Sequence, residues 1–171
     1  MKFEDAFLIV SDIEGKISNH EEDKGGYTNA GISSVYHPDL DVDAIAENQE
    51  KKAAFFWQNY WQPAGCDELP WPVSLVVFDG AVNHGPETIG QLLQQAANQT
   101  GAELKEDGIV GPKTIKAALG RDPLDLARRV LMARGFYYAQ LVRRDHSQAV
   151  FIGGWVNRLK KLLKEVDSAV A

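Results

Sequence analysis

The chain has 171 residues, enough for one domain, or a domain with a small appended lobe, and long enough to bury a core without covalent staples. Hydrophobic residues make up 44% and charged residues 25%, the balance of an ordinary soluble globular protein. The lone Cys66 excludes an internal disulfide and reads as a small packed side chain made in a reducing compartment. A net charge of −6 hides an asymmetry. Residues 1–110 hold six Lys/Arg against nineteen Asp/Glu, whereas residues 111–171 hold twelve against five. The basic part reads as a solvated helix face or as a surface for an anionic polymer. With no aromatic-basic stripe, the chain is not expected to bind nucleic acid.

The opening MKFEDAF carries acids where a secretory signal needs a basic patch and an apolar run. Phe3, Ala6, Phe7, Val10 and Ile13 then recur at i, i+3, i+4 and i+7, which predicts an amphipathic helix over 2–14, stopped by Gly15. Residues 15–35 lack that period and carry Gly25, Gly26 and Gly31, so a small hairpin or structured loop is expected there. DVDAIAENQEKKAAFFWQNYW gives one or two helices, with Asp41 or Asp43 as N-cap. Pro63, Gly65, Pro70 and Pro72 break the chain before VSLVVFDGAVNH, which is apolar on nearly all sides and reads as a central buried helix. Asp79 interrupts it and argues against a membrane span.

Pro86 opens the next helix, with Ile89, Leu92, Leu93, Ala96 and Ala97 as its apolar stripe. EDGIVGPKT is an Asp-Gly turn followed by a proline at a helix start. A long helix then carries Leu124, Ala127, Val130, Leu131 and Leu141. A last one, over about 154–166, turns Trp155, Leu159, Leu162 and Val166 inward. Its RLKKLLKEV segment is basic and amphipathic, and reads as docked rather than membrane-seeking. The expected fold is mainly α, with one small β element near residues 15–35.

Glu14 is the last residue of the first helix and shares a face with Phe7 and Val10. Partial burial and the negative end of the helix both disfavour a charged carboxylate there, which suits a general acid. The plainer alternative is an exposed glutamate at a frayed helix end. Asp23 follows nine residues later, then Gly25-Gly26 and Thr28. An acid, a second carboxylate and a hydroxyl able to hold a water are the set an inverting glycoside hydrolase uses. Turn chemistry for Asp23 and a hairpin hydrogen bond for Thr28 are the competing readings.

EGKISNHEEDKGGYTNAGI, residues 14–32, resembles the start of the glycoside hydrolase family 108 lysozymes, the bacterial and phage N-acetylmuramidases. That pattern begins E-G-G-Y and continues to D-x-G-G-x-T-N-x-G-I. Glu14, Gly15, Asn19, Asp23, Gly25, Gly26, Thr28, Asn29, Gly31 and Ile32 fall in register with it. YWQPAGCDELPWPVSLVVFDGAVNHGP is similar to the family's Y-W … L-P … F-D-x-A-V-N-x-G block. DGIVGPKTIKAAL and FIGGWVNRL resemble its C-terminal predicted peptidoglycan-binding region.

The resemblance implies a lysozyme-like helical fold, with a catalytic region over 1–85 and a helical C-terminal region over 86–171 packed as one compact unit. It implies Glu14 as catalytic acid, with Asp23 and Thr28 next. Glu-x8-Asp followed by Thr also resembles phage-type lysozymes, although Thr28 comes five residues after Asp23 rather than six. Lys16-Ile17 replaces the family's Gly-Tyr, and a cation beside Glu14 opposes a raised pKa.

Asp79 and Asn83, four apart on the buried helix, either line a wet cleft and touch sugar or bond to neighbouring backbone. Trp57, Tyr60, Trp61 and Trp71 offer flat faces for sugar rings, or fill the core. Asn29, Tyr60, Trp61, Asp79, Asn83 and His84 form the expected substrate-binding set. The four histidines show no metal-ligand spacing, so neither metal nor cofactor is expected.

The expected activity is cleavage of the β-1,4 bond between N-acetylmuramic acid and N-acetylglucosamine in peptidoglycan glycan strands. A lytic transglycosylase and a non-catalytic wall-binding or secretion-accessory protein are the alternatives. The expected protein is a monomer made in the cytoplasm without a signal peptide or membrane insertion. It reaches the wall through a holin pore, as a phage or prophage endolysin does, or through a secretion machine.

Overall fold

The computed structural model describes residues 3–14, 17–18, 28–29, 32–35 and 37–169, with backbone only at 14, 17, 18 and 28. Contacts divide the chain into two compact units, Met1–Asn59 and Tyr60–Ala171.

The first unit opens with α1 (Phe3–Glu14), where the apolar period predicts a helix. Its Phe3, Ala6, Phe7 and Val10 are buried, as the i, i+3, i+4, i+7 pattern requires. Three two-residue strands follow: β1 (Ile17–Ser18), β2 (Thr28–Asn29) and β3 (Ile32–Ser33). They form one antiparallel sheet with β2 in the middle; Asn29 stands opposite Ile17 on one side and Ile32 on the other. The looped segment expected over 15–35 therefore contains a three-stranded sheet.

Next come α2 (Val42–Ala46) and α3 (Gln49–Phe56). Asp41 caps α2 by accepting from the Ala44 amide at 3.0 Å, and Asn48 caps α3 by accepting from the Lys51 amide at 2.9 Å. Aromatic contacts hold α1. Phe7 meets the Phe56 ring edge-on at 5.6 Å, and Phe3 meets Trp57 edge-on at 5.0 Å. The Lys52 ammonium lies over Phe7 and Phe56, 5.8 and 5.5 Å from the ring centres. A π-helical turn, Trp57–Trp61, leads into the second unit.

The second unit is built on α4 (Val73–His84). Every residue from Val73 to Ala81 is buried, which explains a sequence apolar on all sides. Gly85, at φ 85°, ends it, and Pro86 starts α5 (Pro86–Asn98). The expected stripe of Ile89, Leu92, Leu93, Ala96 and Ala97 is buried. Then come α6 (Pro112–Leu119), α7 (Pro123–Arg144) and α8 (Ile152–Ser168), with a 3-10 segment, His146–Phe151, between the last two. Asp122 caps α7 by accepting from the Asp125 amide at 2.7 Å. Helices α4, α5 and α7 pack on one another, and α8 packs on α7.

The DGIVGP turn is held from beneath by Gln94 on α5. Its amide nitrogen donates to Asp107 at 3.0 Å and to the Ile109 carbonyl at 3.1 Å, while its oxygen accepts from the Gly108 amide at 2.9 Å. Gly108 has φ 80°, a conformation glycine adopts without strain. It rests against Gly90, where a methyl group would overlap the Gly108 carbonyl. Gly90→Ala should therefore destabilise the protein by about 1–3 kcal/mol in urea unfolding, while Gly101→Ala, where a methyl group meets nothing within 4 Å, should lose only the cost of a positive φ.

Candidate functional site

The residues singled out from sequence fall into both units. Glu14, Asp23, Thr28 and Asn29 belong to the first; Tyr60, Trp61, Asp79, Asn83 and His84 belong to the second.

In the first unit Glu14 is the last residue of α1, as its spacing predicts. The helix is fixed one and two turns earlier by buried Val10 and Phe7. Thr28 lies on β2, opposite Ser18 and Ser33. Asp23 and the Lys16 departure lie outside the described residues. The Asn29 side-chain amide donates to Asp43 Oδ1 at 2.7 Å, which ties the middle strand to the start of α2.

In the second unit Asp79, Asn83 and His84 come together, though not as either sequence reading of Asp79 has it. Asp79 has 0% exposure, and its side-chain partners are two arginines. Arg134 of α7 donates through Nη2 to Asp79 Oδ2 at 2.7 Å. Arg158 of α8 donates through Nε to the same oxygen at 2.9 Å, and its Nη2 lies 2.9 Å from Oδ1. Burial pushes the Asp79 carboxyl up, but the Arg158 and Arg134 charges outweigh it and hold it below the usual carboxylate range. A buried anion demands such partners, because either charge alone would be strongly disfavoured away from water.

The network continues outward. Arg134 is itself fully buried; it also reaches the Tyr138 hydroxyl at 3.4 Å and the Val76 carbonyl at 3.5 Å. Tyr138 donates to Asn83 Oδ1 at 2.7 Å. Its ring stacks on Trp155, centroids 4.6 Å apart and planes 7° from parallel. Arg134 Nε donates to His84 Nε2 at 3.4 Å, so that nitrogen carries no proton. Burial, then the Arg134 charge, push His84 well below its ordinary value, with Asp79 opposing. His84 is thus a neutral imidazole at neutral pH, half-buried beside Tyr137 and Tyr138.

The remaining aromatics divide. Trp61 is 2% exposed, packs edge-on against Phe78 and donates its indole N–H to Asp67 at 2.8 Å. This places it in the core and leaves it no flat face for a sugar ring. Tyr60 and Trp71 stay half-buried. Among the described residues, no three His, Cys, Asp or Glu side chains converge as a metal site requires.

Sequence reasoning missed Arg134 and Arg158, although a signal was present. Arg134 stands at the apolar spacing of Leu131 and Tyr138, and Arg158 at that of Trp155 and Leu162. A cation set in an apolar stripe calls for a buried anion, and Asp79 on the all-apolar α4 is the matching oddity.

A mainly α chain with a small antiparallel sheet after its first helix defines a lysozyme-like fold. Residues 7–85 match the family described as glycosyl hydrolase 108, and residues 78–160 match the predicted peptidoglycan domain. The first part of the chain is therefore similar to glycosyl hydrolase 108, and the part after it to the predicted peptidoglycan domain. It is a glycoside hydrolase that acts on peptidoglycan. Among solved structures it is similar to SagA of Brucella abortus, with a TM-score of 0.79 and 24% identity over 97% of this chain and 94% of that one. That likeness concerns the fold. No curated protein matches the chain.

Removing the Asp79 carboxylate leaves two buried guanidiniums uncompensated, so Asp79→Ala should lower stability by about 3–5 kcal/mol in urea unfolding. His84 supplies a pH dependence. Its folded pKa lies below the ordinary 6.5, so below that pH the unfolded chain binds a proton that the folded one does not. Stability should fall on acidification from about pH 6.5 with a slope approaching about 1.4 kcal/mol per pH unit. His84→Gln should flatten the curve between pH 6.5 and 5.

Proposed function

We propose that the protein is an N-acetylmuramidase that hydrolyses the β-1,4 bond between N-acetylmuramic acid and N-acetylglucosamine, with Glu14 as general acid. The observation that carries this is the position of Glu14, at the end of a helix anchored by Phe3, Phe7 and Val10, inside the region that matches glycosyl hydrolase 108. Glu14 gives its proton to the glycosidic oxygen as the bond from that oxygen to the muramic C1 breaks. Water adds at C1, and its proton passes to Asp23 while the Thr28 hydroxyl holds it in place. The backbone of Thr28 lies on the central strand of the small sheet, which supports its inclusion in this reading.

Asn29 and Tyr60 are the remaining candidates for sugar contact, with Asn83 and His84 where they are half-buried. The C-terminal domain holds the glycan strand. The protein works as a monomer on the wall, delivered as an endolysin through a holin or by a secretion machine.

Glu14→Gln tests the assignment. The variant should fold as wild type and clear purified peptidoglycan about 10²–10⁴-fold more slowly. Unchanged clearing would remove Glu14 from the reaction. Mass spectrometry of the fragments should show reducing muramic ends carrying the added water; anhydro ends would mean a transglycosylase, and no fragments at all would mean a binding protein.

A further inference from the structure

Helix α8 docks through Leu162 and Val166, yet a second apolar stripe on it stays exposed: Ile152, Val156 and Leu163. On α7, Met132 and Phe136 are 62% and 67% exposed, one turn apart. Two contacts show how these sets lie. A methyl group on Gly135 would come 3.7 Å from Leu159 Cδ1, which marks the line where the antiparallel helices meet. Arg128 Nη2 bonds Asp167 Oδ1 at 2.8 Å, which marks one side of that line.

At about 100° per residue, Arg128, Met132 and Phe136 all turn from Gly135 in one sense. Ile152, Val156, Leu163 and Asp167 all turn from Leu159 toward the side on which Asp167 meets Arg128. The five apolar side chains therefore share one face of the α7–α8 pair. Continuing outward on α8, the same rotation brings Lys160 and Lys164 to the edge, while on α7 Arg143 falls in the sector of Met132 and Phe136, about two turns beyond Phe136 along the helix; all three are exposed. The acids on this face, Asp125 and Asp167, are already bonded to Arg129 and Arg128.

We propose that this face docks on an anionic lipid bilayer, with α8 lying along the surface. Single exposed apolar residues are ordinary, but a two-helix stripe edged by cations is the pattern of an interfacial helix. The apolar centre favours lipid over a hydrophilic polyanion, which would leave five such side chains in water. The basic edges disfavour a second copy placed face to face, because like charges would then oppose one another. Such docking would hold the enzyme at the membrane that borders its substrate.

Co-sedimentation of the full chain with vesicles tests this. The protein should bind phosphatidylglycerol–phosphatidylcholine vesicles, and less so as salt rises, and should leave pure phosphatidylcholine vesicles largely unbound. Lys160→Gln and Lys164→Gln should each weaken binding about fivefold. Phe136→Ser with Val156→Ser should weaken it at least about tenfold; both positions are exposed, so helicity should be unchanged. Glu14→Gln should bind the anionic vesicles as wild type does, which separates this surface from the Glu14 chemistry. Failure to bind anionic vesicles, equal binding to neutral ones, or binding indifferent to these substitutions would overturn the proposal. So would a dimer in sedimentation equilibrium that the Phe136→Ser, Val156→Ser variant dissociates, which would assign the face to a second copy.

Discussion

One carboxylate organises the larger unit. Asp79 stands on a helix with no polar face, with zero exposure, where a bare anion would be severely disfavoured. It is tolerated because α7 and α8 each deliver a guanidinium to it. A hydrophobic contact would accept many rotations of these helices. Two forked hydrogen-bonding groups converging on two oxygens accept few. Their outer partners, Tyr138, Asn83 and His84, share the same arrangement. Whatever stabilisation remains after desolvation, the cluster specifies register among three helices.

The smaller unit solves a different problem with different means. Its first helix ends on Glu14, the proposed acid, and aromatic packing holds that helix in place. Phe3 and Phe7 bury against Trp57 and Phe56, and Lys52 lays its charge over two of those rings. These contacts combine large apolar area with definite ring geometry. Asn29 adds a polar tie from the central strand to α2. In both units, residues that looked like candidates for substrate turn out to have structural partners. Trp61 with Asp67, Asn29 with Asp43, Asp79 with its arginines, Asn83 with Tyr138 and His84 with Arg134 are the instances.

The two matched regions overlap on α4, since one ends at 85 and the other starts at 78. The contact division instead gives all of α4 to the second unit. The packing explains this: α4 buries itself against α5 and α7, and its only charge is neutralised from α7 and α8. A helix can thus be shared in sequence description and yet belong physically to one body.

What the sequence alone determined was local. The apolar period gave α1, α5 and α7; proline starts, glycine stops and aspartate caps marked ends; uniform hydrophobicity marked α4 as central. The helix end at Glu14 and a small β element after it were readable because such features depend on neighbours a few residues away. Only the tertiary structure decided where the polar side chains of the core go. Asp79 meets partners 55 and 79 residues distant, and Trp61 turns its N–H to Asp67 rather than its ring to solvent. Periodicity states which face of a helix is buried, but which side chain lies opposite is settled by how the helices cross.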